Sequence, residues 1–493
     1  MRQIKETISQ LTTRTKYGVA RCLKTVVSVY ANFAKQSYAE TQCSCTSCTV
    51  RFLRSVRLAF GLLTTVVQRP LKTAFFVFMT VIMGYAQAQF NVEITDVGTH
   101  LYPIVISNFS DEKNFDTSLT GIVRTDLVNS GRFRVLDAGS TVIPEEASAI
   151  LVNWRSKEAN GLVTGSITTL GNQTYEARFR LYDVNQGKSL GGLALTFDAS
   201  QVRLTGHKIA DAIYQMIFNE PGVFSTRLSY VVRSGKRSQL VIADADGANP
   251  QIALTSHEPI ISPAWSPDGR KIAYVSFETR KPVVYVHDLP TGERKIASNV
   301  KGSNSAPAWS ADGKYLALAL SRDGNTQIYR ATVEGQQLQR LSASNGIDTE
   351  PQFSTDGQWI YFTSDRGGAP QIYRMSAQTG ERQQAATRIT FKGSYNTSPR
   401  ISPDGKLLAY ISRQAGGQKL MIQDLSNGQV MPISHTNFDE TPSFAANGQY
   451  ILYASRIKGR RVLVVSSIDG QSQHILSMQS GDVREPAWGP LAK

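Results

Sequence analysis

The second half of the chain alternates short apolar runs with turn-forming residues at a nearly fixed period. PAWSPDG (263–269), PAWSADG (307–313), PQFSTDG (351–357), PRISPDG (399–405), PSFAANG (442–448) and PAWGP (486–490) set their prolines 44, 44, 48, 43 and 44 residues apart. Eleven residues after each of the first five prolines stands a large apolar residue: Tyr274, Leu318, Phe362, Tyr410 and Tyr453. Each unit predicts four strands. The first carries Trp265, Trp309 or Phe353 and closes on a DG or NG dipeptide, which tolerates the positive φ of a tight hairpin. The second is apolar, as in IAYVS (272–276), IYFTS (360–364) and ILYAS (451–455), and the third reads VVYVHDL (283–289) or LMIQDL (420–425). A glycine turn leads to the fourth. Four strands in some 44 residues match a propeller blade.

The two ends of this array complete each other. LSYVVRS (228–234), QLVIADADG (239–247) and PQIAL (250–254) supply strands two to four without a first, and the final PAWGP is a first strand with nothing after it. Joining them closes a ring with no open seam. The expectation is an all-β six-bladed β-propeller over 225–493, preceded by a smaller α/β domain over 89–222. In that domain 104–108, 132–137, 162–168, 175–183 and 193–197 read as strands. Helical spacing appears over 115–130 and again over 202–219, where Leu204, Ile209, Ile213, Met216 and Ile217 share the apolar side. Pro221-Gly222 marks the junction. Residues 89–100 (QFNVEITDVGTH) alternate like a strand without an obvious partner. They read either as an edge strand of the domain or as a mobile tail that pairs with another protein by strand addition.

Charge sharpens this division. The net +14 lies mostly at the front: residues 1–88 carry 12 Lys/Arg against 2 Asp/Glu, and the rest holds 41 against 37. A nucleic-acid binder would carry its excess on the folded part. The apolar run 73–83 (TAFFVFMTVIM) is too short to span a bilayer. With Arg69 and Lys72 before it and Ala86-Gln87-Ala88 after it, it reads as a signal peptide over 67–88, cleaved between Ala88 and Gln89. Residues 1–66 exceed what such a leader needs and are expected to be an upstream extension, with initiation near Val66 or Val67. Cys22, Cys43, Cys45 and Cys48 all precede the cleavage point, so the exported part has no thiol chemistry.

Catalytic motifs find no support. Gly187-Lys188-Ser189-Leu190-Gly191 matches GxSxG, but GLALTF follows it as a strand where a nucleophile elbow needs a helix. His100, His207, His257, His287, His435 and His474 form no metal-ligand pair. His207 is placed at the surface or boundary of its helix, and His257 and His435 in loops. No enzyme is expected, and no cofactor. The loops entering each first strand offer something else: Asp348, Glu350, Asp439, Glu440, Asp482 and Glu485 crowd against the repeated prolines. If those loops share one face, that face is an acidic rim able to steer a partner or hold a cation; the plainer reading is ordinary loop composition.

PAWSPDG…KIAYVSFE (263–278), SAPAWSADGKYLALALS (305–321), DTEPQFSTDGQWIYFTSDRGGAPQIYR (348–374) and FDETPSFAANGQYILYAS (438–455) closely resemble the TolB family of the Tol-Pal envelope system. The likeness runs from about residue 90 to 493 and is weaker in the N-terminal domain. It implies a monomeric periplasmic protein, without nucleic-acid partner or membrane span once processed, that docks the lipoprotein Pal on its propeller mouth. It would reach TolA through a tail of Gln89, Phe90, Asn91, Val92, Glu93, Ile94, Thr95 and Asp96, maintain outer-membrane integrity and constriction at division, and serve bacteriocin import. Carried over by motif, the Pal contacts are Ala306, Thr349 and Glu350, with Asp439, Glu440 and Thr441 beside them. Ser303 stands where family members can carry a histidine. The resemblance also admits calcium in the channel. The competing readings are a propeller-bearing exported peptidase and a small-ligand-binding propeller with an aromatic-lined channel.

Overall fold

A computed structural model describes residues 101–491 except 113–114, 140–141, 144–150 and 477–480. The cleavage point Ala88/Gln89, the tail from Gln89 to Asp96 and the cysteine run lie outside the described residues.

The α/β domain runs β1 (Tyr102–Ile106), α1 (Leu119–Asn129), β2 (Phe133–Leu136), α2 (Leu151–Arg155), β3 (Gly161–Gly171), β4 (Thr174–Asp183), β5 (Lys188–Asp198) and α3 (Val202–Phe218). Its sheet order is β2-β1-β3-β4-β5, parallel where β1 meets β2 and β3 and antiparallel from β3 to β5. Ser118 caps α1 by accepting the Gly121 N–H. Leu119, Val123 and Leu127 of α1 meet Ile209, Ile213 and Tyr214 of α3 over Ile104, Ile106 and Phe179 of the sheet. The GxSxG match falls on a turn at Gly187 and the start of β5, as a hairpin requires.

Helix α3 ends on Asn219 in the left-handed conformation at φ 55°. At Gly222 a Cβ would meet the Asp211 Cα at 2.4 Å, so only glycine passes here. The close approach lets Asp211 accept the backbone N–H groups of Phe224 (2.7 Å) and Ser225 (3.1 Å), tying the helix to the chain that enters the propeller.

The propeller has six four-stranded blades. Blades 1 to 5 start from inner strands Ile260–Trp265, Asn304–Trp309, Asp348–Phe353, Asn396–Ile401 and Glu440–Phe444. Blade 6 pairs the last strand, Asp482–Trp488, with Arg227–Ser234 from the other end of the domain, which closes the ring as the repeat demanded. Buried Trp488 donates its indole N–H to Thr226 Oγ1 at 2.8 Å across that seam. Trp265 and Trp309 donate theirs to the carbonyls of Ala487 and Ala264, each in the preceding blade. The recurrent serine before the DG turn has a local task. Ser266, Ser310, Ser354 and Ser402 each donate to the aspartate two residues on and accept the N–H five residues on.

The α/β domain rests on the DG-turn side of the ring. Tyr450 Oη donates to the Ser130 carbonyl at 3.0 Å and Asn447 Nδ2 to that of Pro221 at 3.0 Å, both from the NG turn region of blade 5. Arg203 of α3 pairs with Asp244 (2.9 Å) and Asp246 (2.7 Å) in blade 6. This contact corrects the sequence expectation for His207. The residue is 1% exposed, because the propeller covers the side of α3 that helical periodicity leaves as a boundary. Leu204, counted on the apolar side, is 40% exposed.

Candidate functional site

The site builds on the residue before each repeated proline. Ser262, Ala306, Glu350, Ser398, Thr441 and Glu485 all take positive φ, between 48° and 57°. None is glycine, and left-handed backbone costs an L-residue about 1 kcal/mol. A register shift brackets this position in every inner strand of blades 2 to 6. The bulge twists the strand edge that faces the channel, and the proline that follows has no N–H to leave unpaired there. The sixfold proline is therefore an edge device. Of the six side chains that precede it, Glu350, Ser398 and Thr441 line an open cavity at the mouth.

Five of the six residues expected to form the docking face come together. Thr349, Glu350, Asp439, Glu440 and Thr441 line one open cavity of about 470 Å³ spanning blades 3 to 5, with Tyr395, Ser398 and Ile347. Ala306 lies in blade 2, half-buried, at the same level of the ring but outside that cavity. Large apolar side chains stand exposed on the same loops: Ile347 (51%), Phe391 (74%) and Phe438 (49%).

The six carboxylates do not form the uniform acidic rim read from the loops. Asp348 and Asp439 are fully buried. Asp348 accepts from Ser344 Oγ (2.9 Å) and pairs with Arg366 (3.0 Å), which also binds Glu381. Asp439 accepts the hydroxyls of Ser434, Thr436 and Ser455 and the Leu420 N–H. Both are loop-fixing groups. Glu440 pairs with Arg461 at 2.7 Å, and Arg461 and Arg484 share Asp482. Glu350 bridges blades: its Oε2 accepts from Thr363 Oγ1 (2.8 Å) and the Ser398 N–H (2.8 Å), and its Oε1 from Ser398 Oγ (2.7 Å). Glu485 bridges likewise to the Ser262 N–H of blade 1 at 3.3 Å. Loop composition counts carboxylates but not the donors that meet them.

Arg400 went unremarked in the sequence. It follows Pro399 where the other units have Ala264, Ala308, Gln352, Ser443 and Ala487, and that comparison would have singled it out. Burial lowers its pKa, against the opposing fields of Glu350 and Glu485. Burial raises that of Glu485, with Glu440 and Glu350 adding to the effect and Arg400 resisting it. Calcium wants six to eight open oxygen ligands. Here Glu350 is filled by donors and a guanidinium already supplies positive charge beside it, so these carboxylates do not fit the ion.

Comparison with known proteins decides the family. Residues 214–492 match the TolB beta propeller domain and 90–190 the TolB amino-terminal domain. The crystal structure of TolB from Acinetobacter baumannii aligns at 40% identity over 81% of this chain and 99% of its own, with a TM-score of 0.74. The chain belongs to the TolB family. It is thereby a non-enzymatic component of the Tol-Pal type. A protein provisionally described as TolB from Agrobacterium tumefaciens aligns at 18% identity over 54% of this chain and all of its own, at a TM-score of 0.42. A puromycin hydrolase variant aligns at 14% over 52% of each chain, at a TM-score of 0.37, too little to lend the TolB fold here a peptidase activity. Among the described residues no helix is long and apolar enough to cross a membrane.

Proposed function

We propose that this chain acts in the periplasm as the linking protein of a Tol-Pal system. It docks Pal at the propeller mouth, engages TolA through the tail from Gln89 to Asp96, and so supports outer-membrane integrity and constriction at division. The observation that carries the reading is the cavity shared by Thr349, Glu350, Glu440 and Thr441 over the buried Asp439, with exposed Ile347 and Phe438 on its loops. Exposed apolar side chains around a polar, partly charged depression are what a protein-docking surface needs: apolar area to bury, and polar groups to set orientation.

Thr349→Arg and Thr441→Arg test it, since both add bulk at the mouth and leave the inter-blade bonds of Glu350 in place. Titration against the soluble domain of Pal should show at least a ~30-fold loss of affinity, as expected for a central contact, with an unchanged melting temperature. Wild-type affinity in both variants would remove the docking assignment. Deleting residues 89–96 should abolish capture by TolA and spare Pal binding.

A further inference from the structure

The contact between the two domains holds a charge cluster that neither the docking face nor the family comparison calls upon. His207 sits at its centre, on α3, and is 1% exposed. Its Nδ1 lies 2.6 Å from Asp126 Oδ2 on α1, within its own domain. Its Nε2 faces the propeller, 3.8 Å from Asp244 Oδ2 and 3.2 Å from Arg203 Nη2. Arg203 spans the boundary to Asp244 and Asp246. Asp211 lies further along α3, and His474 of blade 5 lines a small interdomain cavity with Asp126 and Asp246. His207, Asp244 and Asp246 could group around a metal ion, but the Arg203 guanidinium already bonds both carboxylates and provides the cation.

The two neighbours of Nε2 ask for opposite proton states. A protonated Nε2 donates towards Asp244. A bare Nε2 can only accept, and the N–H of Arg203 stands ready to fill it. The imidazole thus has two arrangements, and only the protonated one carries a charge that pairs with Asp244 of the propeller, 3.8 Å away, while it holds Asp126 of the α/β domain. We propose that His207 is a protonation-controlled latch between the two domains, closed while the imidazole is charged and released on the propeller side when Nε2 loses its proton.

The surroundings favour the closed form at neutral pH. Burial alone would lower the His207 pKa, but its hydrogen bond to Asp126, the Asp244 carboxylate 3.8 Å away and the field of Asp246 lift it to about 9. Burial raises Asp126. Asp244 is drawn down despite burial by the nearby His207 imidazolium and its bond to Arg203. His474, pushed down to about 4 by burial, stays neutral and does not compete. With the folded pKa raised above the unfolded value, the latch contributes fully below about pH 6.5 and is lost as pH rises through about 9.

The test is a double-mutant cycle across the domain boundary in the full chain, His207→Gln with Asp244→Asn, read as melting temperature against pH, alongside the His207 imidazole resonances followed by NMR. The ring should keep its second proton to about pH 9. The two substitutions should couple at about pH 7 and become additive by about pH 10, with the wild type losing more melting temperature over that interval than either single variant. Should His207→Gln fail to fold, because it strips the buried Asp126 of its partner, Asp244→Asn carries the test: its melting temperature should fall less steeply over that interval than the wild type's, the remaining fall belonging to the Asp126 bond. A His207 resonance titrating at or below the ordinary histidine value, a coupling that is zero near neutral pH, or one that stays constant into alkali would overturn the latch.

Discussion

The two sides of the propeller ring are made from the same repeat and put to opposite uses. On the DG-turn side, short hairpins of near-identical geometry let a second domain settle flat against blades 5 and 6, and charge there is partnered across the boundary, as in Arg203 with Asp244 and Asp246. On the mouth side the loops differ from blade to blade. Backbone strain sits at six equivalent positions, and large apolar side chains stay exposed. Strain and exposed apolar area persist where something other than stability retains them. The difference teaches that a repeat constrains only what its period enforces: the hairpin side is set by turn chemistry in every unit, while the mouth is free to vary around a fixed bulge.

The largest test of this contrast targets a mouth residue that belongs to the scaffold. Asp439 is buried and meets three hydroxyls and a backbone N–H. Asp439→Ala would orphan all of them, for a loss of about 3 kcal/mol seen in chemical denaturation. A change below about 0.5 kcal/mol, the range of an exposed site, would return Asp439 to the docking face.

How much of this was legible beforehand follows the same divide. Blade number, the seam at Trp488 and the GxSxG hairpin were readable because Pro, DG and NG act through local backbone chemistry that any register comparison exposes. The pairing of Thr349 and Glu350 with Asp439, Glu440 and Thr441 was readable too, since equivalent loops of a ring must converge at one end. What stayed hidden depends on atoms far away in sequence. Asp348 and Asp439 look like rim charges until their donors are placed. His207 looks like a boundary residue because helical periodicity cannot see a second domain arriving. The left-handed pre-proline residues were hidden for another reason: a residue before proline is ordinarily extended, and serine, alanine, threonine and glutamate carry no mark of the exception.

A middle-sized effect separates burial from binding at the channel. Burial holds the Glu485 pKa above its ordinary value, so the folded chain takes up a proton more readily than the unfolded one. The sign follows: this group favours the fold most at low pH, and that contribution is lost as pH rises through its folded pKa. Glu485→Gln keeps an oxygen for the Ser262 N–H and removes the charge. It should raise the melting temperature at neutral pH, by an amount equivalent to about 1 kcal/mol, with the advantage shrinking on acidification. A destabilised variant at neutral pH would mean that attraction to Arg400 outweighs burial.

The smallest effect bears on the strain itself. Ala306 occupies the left-handed position at φ 48° with the shortest side chain of the six. Ala306→Gly relieves a backbone cost of about 1 kcal/mol, but it also loosens the unfolded chain by about 0.4–1 kcal/mol. The two nearly cancel, and stability should move by less than about 0.5 kcal/mol. Loss of the methyl group removes apolar contact at the mouth, so Pal affinity should fall slightly while the melting temperature stays put. A clear gain in stability would mean that the strain at this position is larger than a bulge needs, and that the mouth retains it for the partner's sake. A clear loss would mean that the packing of its methyl group against the core between blades 2 and 3 outweighs the relief of strain, and would move Ala306 from the docking face into the scaffold alongside Asp439.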